Sequence, residues 1–365
     1  MLPLEGLKVV ALEQAVAAPF ASSRLADAGA HVVKIERPEG DFARGYDTAA
    51  AGQSSYFVWL NRGKHSKTLD LATPPGKAEL AELIAGADVL IQNLKPGALA
   101  RLGFDLTQLH REHPRLISCS ISGYGEDGPL ANRKAYDLLI QAEAGLCSLT
   151  GGPEAPSRVG ISIVDIATGA TAHSAILEAL IRRGITGEGA CISVSMFDVM
   201  ADWLAVPLLN HEGGTSPTRV GLKHPSIAPY GVFYPLSGPP ILLAVQSDRE
   251  WRVLARDFIG DPEAADDPRF ATNLARVANR AATDALVGAA FARRDWQSCV
   301  AMLDGIDIAL ASVNDMAALS QHPHLRRVTV DTPGGKVSFP APAPRILGES
   351  RQLGAVPALE PATPH

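Results

Sequence analysis

Residues 7–36 read LKVVALEQAVAAPFASSRLADAGAHVVKIE, and this stretch decides the fold. Leu7–Leu12 is a short apolar run of strand character. Phe20, Leu25 and Ala28 follow at helical spacing, and Gly29 is a plausible helix stop. His31–Glu36 is a second strand. Strand, helix and strand within about 30 residues make a βαβ unit, which crosses over right-handed into a parallel sheet.

The alternation continues outward from this unit. Lys77–Ala85 reads as helix, and Val89–Ile91 and Leu116–Ile121 read as strands. The pattern predicts an α/β fold with a doubly wound, Rossmann-like large domain, whose ligands bind beyond the strand C-terminal ends. The segment Val159–Val164 is apolar, and Ile161–Val164 within it is strand-like. From Asp165 an Ala-rich helix runs through Ile176, Leu177, Leu180 and Ile181 to a stop at Gly184, before a strand at Cys191–Met196.

Beyond residue 200 the composition shifts toward proline and aromatics. The expected division is a large domain over 1–200, completed by about 315–365, and a smaller α+β domain over 225–305. Residues 201–224 and 306–315 are expected as linkers. Within the small domain, Val232–Ala244 reads as a hairpin around Ser237-Gly-Pro-Pro240, with helical stretches near Trp251 and Trp296. The tail Pro357–His365 is expected to be mobile.

The chain has 365 residues, 46% of them hydrophobic and 20% charged, which excludes disordered and collagenous classes. A formal charge of −6 argues against a nucleic-acid or anionic-membrane footprint, so no nucleic acid and no membrane are expected as partners. Cys119, Cys147, Cys191 and Cys299 lie far apart, with no C-x-x-C pair. This usage, with no secretory leader pattern at the N-terminus, points to a cytoplasmic protein.

Several motifs are missing. Gln14–Pro19 stands where a dinucleotide-binding unit carries G-x-G-x-x-G, and neither a P-loop nor a G-x-S-x-G elbow occurs. His322-Pro-His324 has no third ligand near it and reads as a turn, so no metal site is expected. One carboxylate stands out. Asp165 opens the Ala-rich helix, near unpaired backbone N–H groups, and two readings stay open on residues alone: a helix N-cap or a reactive group.

The chain resembles the class III CoA-transferases, a family that also includes the α-methylacyl-CoA racemases. The resemblance is carried by Leu4–Val10, Leu25–Pro38, Gly40-Asp41, Asn61–Leu71, Asn93–Phe104, Ser122–Pro129, Ala135-Tyr-Asp137 and Gln141-Ala142, in order and nearly end to end. It implies that Asp165 is the catalytic nucleophile, passing through a mixed anhydride to an aspartyl-CoA thioester. It also implies that Arg37, Leu69, Asn93, Arg101, Lys134, Tyr136 and Met196 line the site for coenzyme A, whose thioester is a substrate rather than a permanent cofactor. Arg37, Arg101 and Lys134 would meet its phosphates locally in an acidic protein.

Tyr136 stands where the racemases carry His. A tyrosine, with an ordinary pKa near 10, is poorly suited to returning an α-proton, which favours CoA transfer. Racemisation and silent acyl-CoA binding remain the alternatives. Val16, where oxalate-using formyl-CoA transferases have Gln, and the lack of their tetraglycine loop argue against formyl-CoA and oxalate. A C4–C5 dicarboxylate is expected as the acceptor acid, with Arg158, Arg219 and His224 as candidates for its second carboxylate. The resemblance further implies an interlocked homodimer.

Overall fold

A computed structural model describes residues 2–348 and 351–361. The chain divides into two compact units. The first comprises Met1–Leu146, Arg158–Leu209 and Arg326–His365, and the second Cys147–Ser157 and Asn210–Leu325.

The first unit is built on six parallel strands: β1 (Lys8–Leu12), β2 (His31–Glu36), β3 (His65–Thr68), β4 (Val89–Gln92), β5 (Ile117–Ser122) and β6 (Ala190–Ser195). Their order is β3-β2-β1-β4-β5-β6. Val10 pairs with Val33 on one side and Leu90 on the other. The chain therefore winds outward from β1 in one direction and then from β4 in the other, which makes the β1/β4 gap the topological switch point. β4 and β5 are buried along their whole length, as parallel strands covered on both faces must be.

Helices α1 (Ala17–Asp27) and α2 (Ser55–Asn61) flank this sheet. α3 (Pro74–Ala85) starts ahead of the expected Lys77, because Thr73 caps Gly76 N–H and prolines occupy the first turn, where no N–H is needed. α4 (Asp137–Glu143), α5 (Ile163–Thr186) and α6 (Met196–Trp203) complete the set used below. The core joins Val9, Ala11, Ile91, Ile117 and Cys119 of the sheet to Ala18, Ala21 and Leu25 of α1 and Val164, Ala172 and Ile176 of α5. α1 and α5 meet at Gly169, where an added Cβ would lie 2.4 Å from the Ala17 carbonyl oxygen.

Two expectations about this region are corrected. Val159–Val164 forms no strand, because the Gln141 amide takes its backbone groups: Val159 N–H donates to Oε1 and the Ile161 carbonyl accepts from Nε2. Nor does Gly184 end the helix. α5 runs to Thr186 and stops at Gly187, whose φ of 81° is the left-handed conformation a C-terminal glycine provides.

The second unit holds an antiparallel sheet, ordered β9-β8-β7, of β7 (Tyr230–Phe233), β8 (Ile241–Ala244) and β9 (Ala309–Ser312). The expected linker 306–315 thus contains a strand, with Ala311 opposite Leu242; its alanines and exposed faces carry little apolar signal. The boundaries differ elsewhere too, since 147–157 groups with this unit and the first continues to Leu209. Trp251, Phe258, Phe291 and Leu303 are fully buried in its core.

The chain returns to the first unit as a hairpin of β10 (Arg327–Thr332) and β11 (Gly335–Pro340). Val330 packs with Phe57, Val58 and Val356. The expected mobility of the tail is corrected for residues 357–361: the Pro357 and Glu360 carbonyls accept from Arg44 Nη1 at 3.3 Å and Thr68 Oγ at 2.7 Å. Residues 362–365 lie outside the described residues.

Candidate active site

At the switch point, beyond the C-terminal ends of β1, β4, β5 and β6, lies a cavity of about 860 Å3. Its wall takes Gln14–Ala17 after β1, Asn93–Pro96 after β4, Gly123 after β5 and Met196 after β6. A smaller cavity of about 190 Å3 lies beyond β1, β2 and β3, and Gln14 and Leu94 line both.

Asp165 lines the larger cavity from the third position of α5. It is not the N-cap. Ser162 occupies that position without a side-chain cap bond, and the cap comes from α4, where Asp137 Oδ1 accepts from Val164 N–H at 2.8 Å and Asp165 N–H at 3.4 Å. Among the described residues, no group donates a hydrogen bond to the carboxylate of Asp165, which lines the cavity. Burial, reinforced by the neighbouring Asp137 charge, pushes its acid form up to about 7. A carboxylate with a raised pKa is a better nucleophile once ionised.

Tyrosines surround it. Tyr46, Tyr56 and Tyr136 line the same cavity, the rings of Tyr46 and Tyr56 meet edge to face at 5.7 Å, and Tyr56 Oη shares a 3.0 Å hydrogen bond with Ser162 Oγ. Burial, with Asp41 and Asp165 nearby, pushes the Tyr46 phenol up to about 12, so it stays a neutral donor.

Of the residues expected to hold coenzyme A, Asn93, Arg101, Lys134, Tyr136 and Met196 line the larger cavity with Asp165. Arg37 and Leu69 line the smaller one, where Arg37 Nε donates to the Gly40 carbonyl at 3.2 Å. Arg158 is brought to the Asp165 cavity, and Lys95 and Arg133 add positive charge there. Arg219 and His224 belong to the second unit. The Arg219 guanidinium donates to the carbonyls of Ser148, Gly152 and Pro153, a structural role that takes both terminal nitrogens and Nε. His224 stacks on Tyr230 and its Nδ1 accepts from Ser226 N–H. His324 N–H donates to His322 Nδ1, as a turn requires.

Sequence reasoning gave no role to Asp137, Tyr46 or Tyr56. Asp137 stood within a quoted motif, but its partner N–H groups lie 27 and 28 residues away, and only the fold joins them. The same holds for a buried charge network whose Glu13, Glu36 and Asp41 line the smaller cavity. Glu13 pairs with Lys64 at 2.6 Å, Lys34 with Asp41 at 2.8 Å, and Glu36 with Arg44 at 2.6 Å. Burial acts to raise Glu36, but Arg44, Lys34 and Ser66 overcome it and hold the acid at about 2. Burial brings the Lys64 ammonium down to about 8.

The fold is thus a parallel α/β sheet with a carboxylate of raised pKa in a cation-lined cavity at its switch point. The profile of CoA-transferase family III matches residues 4–360. The chain belongs to that family and is an enzyme of the CoA-transferase type. It is 36% identical to an acetyl-CoA:oxalate CoA-transferase of Acetobacter aceti, over 95% of this chain and 90% of that one. It is 34% identical, over the same shares, to a succinate–glutarate CoA-transferase of Agrobacterium fabrum. A crystal structure of a CaiB/BaiF family protein from Brucella suis superposes with a TM-score of 0.82 at 37% identity, covering 97% of this chain and 95% of that one.

Proposed function

We propose that this enzyme moves CoA from an acyl-CoA thioester to a dicarboxylic acid, with Asp165 as the nucleophile. The observation that carries this reading is the half-buried carboxylate of Asp165, raised to about 7, in a cavity that also presents Arg101, Lys134 and Arg158.

In the first step the ionised Asp165 attacks the thioester carbonyl, the C–S bond breaks, and CoA leaves as thiolate from a mixed anhydride. The thiolate then attacks the aspartyl carbonyl of that anhydride. The donor acid leaves as carboxylate, and Asp165 holds CoA as a thioester. The acceptor carboxylate reverses both steps, so no proton is consumed and the thioester's free energy is kept. The neutral phenol of Tyr46 is suited to donate to the developing oxyanions, and Tyr56 lines the same cavity.

The seven residues named for coenzyme A are among those lining the two cavities, and Arg158, in the lining of the Asp165 cavity, would meet a second carboxylate. The exclusion of oxalate on the ground of Val16 is withdrawn, because a relative of 36% identity is named for that acid. Succinate, glutarate and oxalate, named in the two relatives, share a pair of carboxylates. Among the described residues no histidine lines the larger cavity, and Tyr136 stands in its wall, which supports transfer over racemisation.

The test is a panel of CoA thioesters, each mixed with its own labelled acid, followed by mass spectrometry. Label entering a thioester with wild type and not with Asp165→Ala is the expected result. Deuterium entering the α-carbon without acid exchange would replace this reading with racemisation.

A further inference from the structure

Asp41 stands in the wall of the smaller cavity and is 3% exposed. Its Oδ1 accepts two backbone hydrogen bonds, from Ala15 N–H at 3.2 Å and Ala43 N–H at 2.9 Å. Its Oδ2 takes Lys34 Nζ at 2.8 Å, and the same ammonium donates to the Glu13 carbonyl at 3.2 Å. Lys34 is fully buried. The two N–H groups belong to different walls of the Asp165 cavity. Ala15 lies in the loop Gln14–Ala17, and Ala43 lies in the 3-10 turn Phe42–Gly45 that presents Phe42 and Tyr46.

The first of these walls needs holding. Ala15 has a φ of 62°, a left-handed conformation that residues with a Cβ avoid. Each residue of its approach is clamped by a side chain: Glu13 through its carbonyl by Lys34, Gln14 through both its N–H and carbonyl by Asn93, and Ala15 by Asp41. Strain of this kind persists only where the surroundings over-determine it.

We propose that Asp41, paired with Lys34, is a positioning residue for CoA transfer: one carboxylate oxygen fixes the 14–17 loop and the 42–45 turn at the separation the reaction at Asp165 requires. This inference rests on the function proposed above. Asp41 touches no reacting atom in it and acts through the two segments it holds.

Asp41→Asn keeps the size of the side chain but must turn an NH2 either toward Lys34 or toward two N–H donors. Adding Lys34→Met removes that conflict and both charges together, leaving Glu13 paired with Lys64. The experiment measures label-exchange kcat and KM for the thioester in wild type, Asp41→Asn and the double variant. Amide hydrogen exchange of segments 13–17 and 42–46 is followed in parallel. With rates expressed per folded enzyme, because loss of folded protein also lowers apparent kcat at constant KM, we expect Asp41→Asn to lower kcat about 100-fold, the scale of an ångström of misplacement, with KM changed less than about threefold. Both segments should exchange faster while the six-stranded sheet stays protected, and the double variant should recover at least about tenfold of the lost kcat.

A kcat within about threefold of wild type, faster exchange in only one segment, or a double variant no better than the single would each overturn the proposal. Should Asp41→Asn lose protection throughout the sheet, the double variant decides: folded and active supports the proposal, and folded, inactive and protected at both segments refutes it. If wild type transfers no CoA, the proposed function falls, and the hydrogen-exchange pattern alone judges the hold of Asp41 on the two walls.

Discussion

As the proposed nucleophile Asp165 must be ionised to attack, and burial with Asp137 pushes its acid form up to about 7. The expected kcat/KM for label exchange therefore rises with pH through about 7 and levels above it, because the free enzyme's nucleophile is the deprotonated species. Stability runs the other way. Between the unfolded value near 3.9 and the folded value about 7, the native state holds a proton the unfolded chain has lost, so this group's contribution falls as pH rises through that window. Asp165→Asn should unfold at a higher denaturant concentration than wild type at pH 8 and at a similar one at pH 4. At the second carboxylate, Arg158→Ala should raise acceptor KM about tenfold or more with donor KM little changed, whereas Arg219→Ala, whose guanidinium serves three carbonyls, should act through stability instead. The position of Asp165 at a helix start was legible in the sequence. The cap supplied by Asp137 was not, because a capping side chain from another helix leaves no local spacing.

Long apolar runs made the sheet legible element by element: β1, β2, β4, β5 and β6 were all expected from strand-length hydrophobic segments. Val159–Val164 has the same composition and failed, since a buried amide at Gln141 outbid a neighbouring strand for its backbone. Glycine was read too simply. Gly184 lies inside α5 with nothing within 4 Å of a new Cβ, so Gly184→Ala should stabilise the protein by about 0.5–1 kcal/mol in urea unfolding. Gly169→Ala should do the reverse. Its Cβ would meet the Ala17 carbonyl at 2.4 Å and Phe20 Cβ at 2.8 Å, costing about 1–3 kcal/mol as α1 and α5 separate. Since Ala17 lines the cavity, exchange should fall as well. The tail was misjudged because carbonyl acceptors, which any residue provides, dock it.

Across the whole molecule, the doubly wound parallel sheet followed from the alternation of strands and helices, but the division of the chain did not. Residues 147–157 join the second unit through long-range pairing such as Gly221 N–H to the Gly151 carbonyl, which no composition shift announces. Among the described residues no helix is long and apolar enough to cross a membrane. In the first unit Ile181, Ile185, Trp203, Val206 and Leu209 are each more than half exposed. For the homodimer that the family resemblance implies, light scattering should give twice the chain mass of 38.4 kDa. A mass of one chain at micromolar concentration would contradict it.

The proposed role of Asp165, carrying CoA between acids, is tested most directly by incubating wild type and Asp165→Ala with succinyl-CoA and labelled succinate, then glutaryl-CoA and oxalyl-CoA with their own labelled acids. Label is expected in at least one thioester with wild type and in none with Asp165→Ala. Equal labelling by both proteins would contradict it.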